Sequence, residues 1–283
     1  MATRREIFRA LTEAGAELYG EAEARQIAEM VLESRGLSRN MLLVDPNEEL
    51  QFPDLDSVIN DIRAWRPVQY IIGTAEFAGM DFEVSDAVLI PRPETEELVD
   101  WIASEVGDSA SILDVGTGSG CIAIALSCAV RSSSVWALDI SADALAVARR
   151  NGAKYAPDVR FVEGDALSDF SALFAEKFDI VVSNPPYIPD SDSRLMRRNV
   201  TDYEPHTALF VPDNDPLLFY RSIARTALKM LKAEGKLYFE IYESLADEMQ
   251  RMLHDEGYEE IVVREDFRGK PRMICARVSS TMR

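Results

Sequence analysis

The chain has 283 residues, 47% of them hydrophobic and 28% charged, which is long enough for two domains with a substantial core. Its formal net charge of −19 counts against a general nucleic-acid binder, because duplexes are polyanions that proteins meet with clustered Lys and Arg. Cys121, Cys128 and Cys275 form no CxxC pair and, with only two histidines, no metal-ligand spacing, so no metal is expected and a reducing compartment is.

Met1 to Glu6 leads into charged helix, not into a secretory h-region, and the longest apolar stretch, Cys121 to Val130, is too short for a bilayer. The expectation is a soluble cytoplasmic protein with no membrane partner. Residues 1–66 read as a helical domain: Ile7, Phe8, Leu11 and Leu18 mark one amphipathic face, and Ala24, Ile27, Ala28, Val31 and Leu32 another. A further helix runs through Leu55, Val58, Ile59, Ile62 and Trp65 before Pro67. Residues 67–90 read as a β-hairpin linker, with strands at Gln69–Gly73 and Phe82–Val84 on either side of Gly79. Pro93 then opens a helix whose Glu94, Glu96 and Glu97 suit the positive end of the helix dipole.

From residue 91 to 283, strand and helix alternate with α/β rhythm. Strands are expected at 111–116, 134–140, 159–164, 178–183, 236–242, 258–266 and 271–278, with helices near 119–130, 142–154, 215–232 and 244–256. Cys121 and Cys128, seven apart in the apolar helix, are expected to pack as small hydrophobes. Arg268-Gly269-Lys270 is too short for a crossover helix, so the last two strands must pair antiparallel. A mostly parallel, Rossmann-like seven-stranded sheet ending this way resembles the layout of class I S-adenosylmethionine-dependent methyltransferases.

Two stretches carry the chemistry. Asp114-Val115-Gly116-Thr117-Gly118-Ser119-Gly120 joins a strand to a helix, where glycines let the backbone approach a ligand closely. The Gly-x-Gly-x-Gly spacing lacks the second gap of a dinucleotide fingerprint. Asp114 would repel a pyrophosphate but suits the cationic aminoacid end of S-adenosylmethionine. Asp139, 19 residues after Gly120, stands where an acidic residue holds ribose hydroxyls in nucleotide-binding folds. Asp165, with Ala166 and Leu167 as walls, stands where an adenine would lie; both aspartates could instead simply cap the helices that follow.

The second stretch is Asn184-Pro185-Pro186-Tyr187, behind the apolar run 178–183. The prolines cannot continue the ladder, so the chain leaves the sheet there and places an amide, carbonyls and a ring at a strand's carboxyl end. Methyl transfer to an amide or an aromatic amine is limited by a delocalised nitrogen lone pair. Two acceptors gripping both N–H groups, the Asn184 side-chain oxygen and the Pro185 carbonyl, would turn that lone pair towards the methyl, and Tyr187 could stack on the acceptor plane. Asn184, Pro185 and Tyr187 are the catalytic candidates, with Pro186 completing the substrate loop and Asn184 also touching the cofactor.

Residues 112–120, Asn184–Tyr187, Leu89-Ile90-Pro91-Arg92-Pro93-Glu94-Thr95-Glu96 and Tyr203-Glu204-Pro205-His206-Thr207-Ala208-Leu209 together resemble the HemK/PrmC family of release factor glutamine methyltransferases. The resemblance implies methylation of the glutamine amide nitrogen in the Gly-Gly-Gln motif of class I peptide chain release factors. It implies S-adenosyl-L-methionine held by Gly116–Gly120, Asp139 and Asn184, and a release factor docked by the helical domain; the chain itself is expected to be a monomer and, from its acidic balance, to make no direct nucleic-acid contact. Members often carry Glu-x-Gly where this chain has Glu240-Ile241-Tyr242, so Tyr242 is expected to crowd the substrate loop. The alternatives are a ribosomal-protein glutamine methyltransferase, an adenine-N6 nucleic-acid methyltransferase, which would want a basic surface and a flipped base, and a non-catalytic binding module.

Overall fold

A computed structural model describes residues 2–278 and divides into two compact units. One comprises the chain up to Thr74 together with Arg197–Tyr203; the other comprises Ala75–Met196 and the chain from Glu204 onward.

The first unit is built on the helices Arg4–Tyr19, Glu21–Glu33 and Leu55–Arg63. Thr3 starts the first of them with a reciprocal cap: the Glu6 amide donates to its hydroxyl, and its own amide donates to the Glu6 carboxylate. Ile7, Leu11, Val31, Leu32, Val58 and Ile62 form the buried core of this unit. The segment 197–203 is tied in by Arg197, paired with Glu23 at 2.7 Å, and by the Tyr203 hydroxyl, which donates to the Ala64 carbonyl at 2.6 Å.

The stretch expected as the first hairpin strand is a short helix, Val68–Ile72. Pro67 suits its start, and Gly73, at φ +82°, ends it by donating its amide to the Gln69 carbonyl. A five-residue apolar run fits either period, and here the flanking Pro and Gly decided it. The hairpin lies one step later, Thr74–Phe77 with Met80–Glu83. From Ala75 on it is part of the second unit: Phe77 and Phe82 are fully buried in that unit's core, and Asn151 bonds both the amide and the carbonyl of Glu83.

The second unit is organised by seven strands: β1 (Ser111–Val115), β2 (Ser134–Asp139), β3 (Arg160–Glu163), β4 (Phe178–Ser183), β5 (Leu231–Glu240), β6 (Tyr258–Glu265) and β7 (Pro271–Val278). Their order across the sheet is β6-β7-β5-β4-β1-β2-β3, parallel except that β7 runs antiparallel to both neighbours. β5 begins five residues before the expected position, with a register shift against β4 between Leu231 and Lys236.

Strict alternation sends Ile112, Ile180 and Val182 to one face, under the helices Pro93–Glu105 and Cys121–Ala129. Leu113, Val181 and Phe239 go to the other, under Leu218–Met230 and Ala246–Asp255. A sheet covered on both faces explains why its central strands read as continuous apolar runs. Of the two helix cysteines, Cys121 is partly buried and packs on the core as expected, while Cys128 is exposed. Among the described residues no helix is long and apolar enough to cross a membrane.

Candidate active site

The carboxyl ends of β1, β2 and β4 open onto a cavity of about 400 Å³, a size suited to a small-molecule ligand. The turn after β1 is hung from β2, since the amides of Gly116 and Thr117 both donate to the Leu138 carbonyl at 2.8 and 3.0 Å. Gly116 and Gly118 line the cavity with φ of +77° and +55°, and a side chain on either would project into open space. The cradle is therefore made of main chain, and its volume is what a Cβ would begin to fill.

Asp139 lines the cavity at the tip of β2. Its Oδ2 accepts from the Gly118 amide at 2.8 Å and its Oδ1 from Ser141 at 2.9 Å, so it supports the turn as well as facing the ligand space. The carboxylate keeps acceptor capacity for a ligand hydroxyl. Burial raises its pKa, opposed by those amide donors. Asp165 and Ala166 also line the cavity, with the Leu167 amide bonded to Asp165 at 2.8 Å. Ile140 and Leu167, 62% and 43% exposed, present apolar side chains to the same space, a slot for a flat ring.

Asp114 does not line the cavity. It is fully buried behind the turn with Thr117, Ser119 and Gly120, where its Oδ2 accepts the Thr117 hydroxyl at 2.6 Å. Burial pushes its pKa up to about 7. Asp114 thus sits beneath the turn, joined to it through Thr117.

On the acceptor side, β4 is joined to β1 at its tip by the Ser183 hydroxyl, which donates to the Val115 carbonyl at 2.6 Å. Asn184, Pro185 and Pro186 line the cavity. Asn184 Nδ2 donates to the Thr95 hydroxyl at 3.3 Å, and Thr95 in turn donates to Glu240 Oε2 at 2.6 Å. Tyr187 lies outside the lining: its hydroxyl donates to Glu240 Oε1 at 3.0 Å, and its ring stacks on Tyr242 at 5.8 Å and 21°. Tyr242 therefore braces Tyr187 rather than crowding the loop, and its hydroxyl donates to Asp192 at 2.8 Å. Burial first, then the Glu240 charge, keep the Tyr187 hydroxyl protonated. Burial also raises the Glu240 pKa, with Thr95 and Tyr187 pulling the other way.

The rim joins two distant segments. The Glu204 carboxylate, 3% exposed, accepts from the Ile90 amide at 3.1 Å and pairs with Arg92 at 2.5 Å. This sets Val88 and Leu89 beside Pro205, Thr207 and Ala208 at the cavity edge. The Leu209 carbonyl accepts from the amides of both Tyr187 and Ile188, fixing the exit of the Asn-Pro-Pro-Tyr loop. Sequence reasoning missed Thr95, Glu204, Ile140 and Phe219 as site residues, the last lining the cavity from the helix Leu218–Met230; each needs the fold to bring it there, and Thr95 and Glu204 stood out only as members of the motifs that carry the resemblance.

Residues 94–201 match the family model described as the methyltransferase small domain. The fold is shared by a solved methyltransferase from Pyrococcus furiosus, 17% identical with a TM-score of 0.52, covering 71% of this chain and 90% of that one. Sheet order, Gly-rich cradle and strand-tip cavity define a class I S-adenosylmethionine-dependent methyltransferase. Its relatives are narrower in kind. The release factor glutamine methyltransferase of Flavobacterium psychrophilum is 40% identical over 268 residues, 92% of this chain and 93% of that protein. That of Bacteroides thetaiotaomicron is 45% identical over 223 residues, 79% and 80% of the two chains. The chain belongs to the release factor glutamine methyltransferase family.

Proposed function

We propose that this protein transfers a methyl group from S-adenosylmethionine to the side-chain amide nitrogen of the glutamine in the Gly-Gly-Gln motif of class I release factors, in the cytoplasm where translation ends. The observation that carries this reading is Asn184 on the cavity wall, one strand over from the Gly116–Gly118 cradle, with its amide held by Thr95. The cradle, Asp139 and the slot of Ile140, Asp165 and Leu167 are the groups that would hold the donor's main body, its ribose and its adenine.

Bound S-adenosylmethionine supplies an electrophilic methyl on a sulfonium, and transfer forms an N–C bond as the S–C bond breaks. The protein's part is to make an amide nitrogen reactive. Asn184 Oδ1 and the Pro185 carbonyl accept the two N–H groups, turning the lone pair out of conjugation and favouring the positive charge that develops on nitrogen. That nitrogen loses its proton only after attack, so no strong base is needed beforehand. The helical unit, by family analogy, is the part that docks the release factor.

Methyl transfer to adenine in nucleic acid is the less favoured reading. Of the two arginine clusters in the acidic chain, Arg149-Arg150 and Arg194 with Arg197-Arg198, Arg150 is paired with Glu83, Arg197 with Glu23 and Arg198 with Asp202, while Arg149 donates to the Phe161 carbonyl. The deciding experiment offers labelled S-adenosylmethionine with release factor, ribosomal protein and DNA in parallel, followed by mass spectrometry of the release-factor peptide. One added methyl on the glutamine is expected; label in DNA or ribosomal protein with a silent release factor would replace this reading.

A further inference from the structure

Asparagine's amide can face a substrate with either its oxygen or its nitrogen, and only the oxygen can accept from a substrate NH2. Something must therefore choose the face. Asn184 contacts Thr95, a hydroxyl with a single proton to give. The Thr95 Oγ1 to Glu240 Oε2 distance is 2.6 Å, within the range of a charge-assisted O–H···O⁻ bond. Both Glu240 oxygens receive hydroxyl donors, Thr95 on Oε2 and Tyr187 on Oε1, which places the group as an acceptor against the burial that raises its pKa, so that bond consumes the Thr95 proton. Thr95 is then left with lone pairs towards Asn184 and can meet only its NH2 end. Thr95 and Glu240 are each 2% exposed, so water is in no position to replace either partner.

Glu240 receives a second donor, the Tyr187 hydroxyl at 3.0 Å, and its own backbone carbonyl accepts from Tyr220 at 3.0 Å. The carboxylate is thereby held by the helix Pro93–Glu105 on one side and by the Asn-Pro-Pro-Tyr loop on the other. We infer that Glu240, acting through Thr95, is a positioning pair that fixes the amide of Asn184 with its oxygen towards the substrate nitrogen. Neither residue touches the reacting atoms. The inference rests on the reading of Asn184 as an acceptor for the substrate amide.

The test compares Thr95→Val, which keeps the shape without the hydroxyl, with Thr95→Ser, which restores the hydroxyl alone. Thr95→Val is expected to lower kcat towards release factor about tenfold, with S-adenosylhomocysteine affinity held within about twofold as the measure of an intact fold. Thr95→Ser should recover kcat to within about threefold of the parent, a rescue that simple packing loss at a methyl would not give. Glu240→Gln, whose amide can donate to Thr95 and reverse its proton, should resemble Thr95→Val.

A second readout needs no turnover. The side-chain NH2 resonances of Asn184, identified by their disappearance in Asn184→Ala, should shift in Thr95→Val and return in Thr95→Ser. Unshifted Asn184 resonances, or a Thr95→Val enzyme with the parent's kcat, would sink the positioning pair. If release factor is not methylated at all, the proposed function fails, and the NMR comparison still decides the pair. If Asn184→Ala keeps full turnover, the amide-gripping role fails and the pair falls with it.

Discussion

The two sides of the cavity are built from different materials. The donor side is main chain: a turn of positive-φ glycines hung from the Leu138 carbonyl, with Asp139 bonded to the turn it faces. The acceptor side is side chain: Asn184, Thr95, Glu240 and Tyr187, drawn from a loop, a helix and two strand ends. A backbone cradle depends on local sequence and recognises a ligand by shape and amide direction. A side-chain relay depends on tertiary placement and controls which atom points where. Binding is thus expected to reside on the first side and rate on the second.

The sharpest way to break that division is Asn184→Ala. Loss of this acceptor is expected to lower kcat by about 10²–10³-fold, the cost typical of removing one charge-stabilising group. Affinity for S-adenosylhomocysteine, read by calorimetry, should change by no more than about threefold. A variant that lost cofactor binding instead would merge the two sides. The converse is Asp139→Ala, which should weaken cofactor binding by about 1.5–3 kcal/mol, the worth of a hydrogen bond to a charged group, while kcat at saturating cofactor stays close to the parent's. A large fall in kcat with unchanged affinity would contradict the assignment.

The smallest effect is a pH signature beneath the donor turn. Asp114 has its pKa raised from 3.8 to about 7 by burial, so the folded state holds a proton that the unfolded chain releases above about pH 4. This group therefore favours the folded state at low pH, and that contribution is lost as pH rises towards and through 7. Asn mimics the protonated form. The melting temperature of Asp114→Asn minus that of the parent should grow from pH 5 to pH 8. A difference flat across that range would mean that Asp114 titrates normally and that the turn rests on something else.

The same contrast explains what could be read before the structure. The glycine spacing, Asp139 and the strand-end position of Asn184 are local features, and the structure brings Gly116, Gly118, Asp139, Asp165, Ala166 and Asn184 to one cavity. The parallel core was legible because strands covered on both faces show as unbroken apolar runs. Thr95 was hidden because it stands in an acidic stretch whose plain reading is a helix start. Its partners are 89 and 145 residues away, beyond the reach of any periodicity. Tyr187 was legible as part of the loop, but its ring turned out to pair with Tyr242, which only the geometry could show. The first hairpin strand failed for a different reason: five apolar residues between Pro67 and Gly73 satisfy a helical turn as readily as a strand.

Strand β7 is the last of the seven in the chain, yet it lies inside the sheet, between β5 and β6. During synthesis β5, which carries Glu240 at its tip, waits with one edge unpaired until residues 271–278 emerge, and β6 has nothing to join. An unpaired edge of this kind recruits other chains. A nonsense mutation before residue 271 should therefore yield aggregates, not a weakened enzyme. The fold thereby makes residues 271–278 a condition of the site: only a chain that includes them can close the sheet that supports the acceptor side.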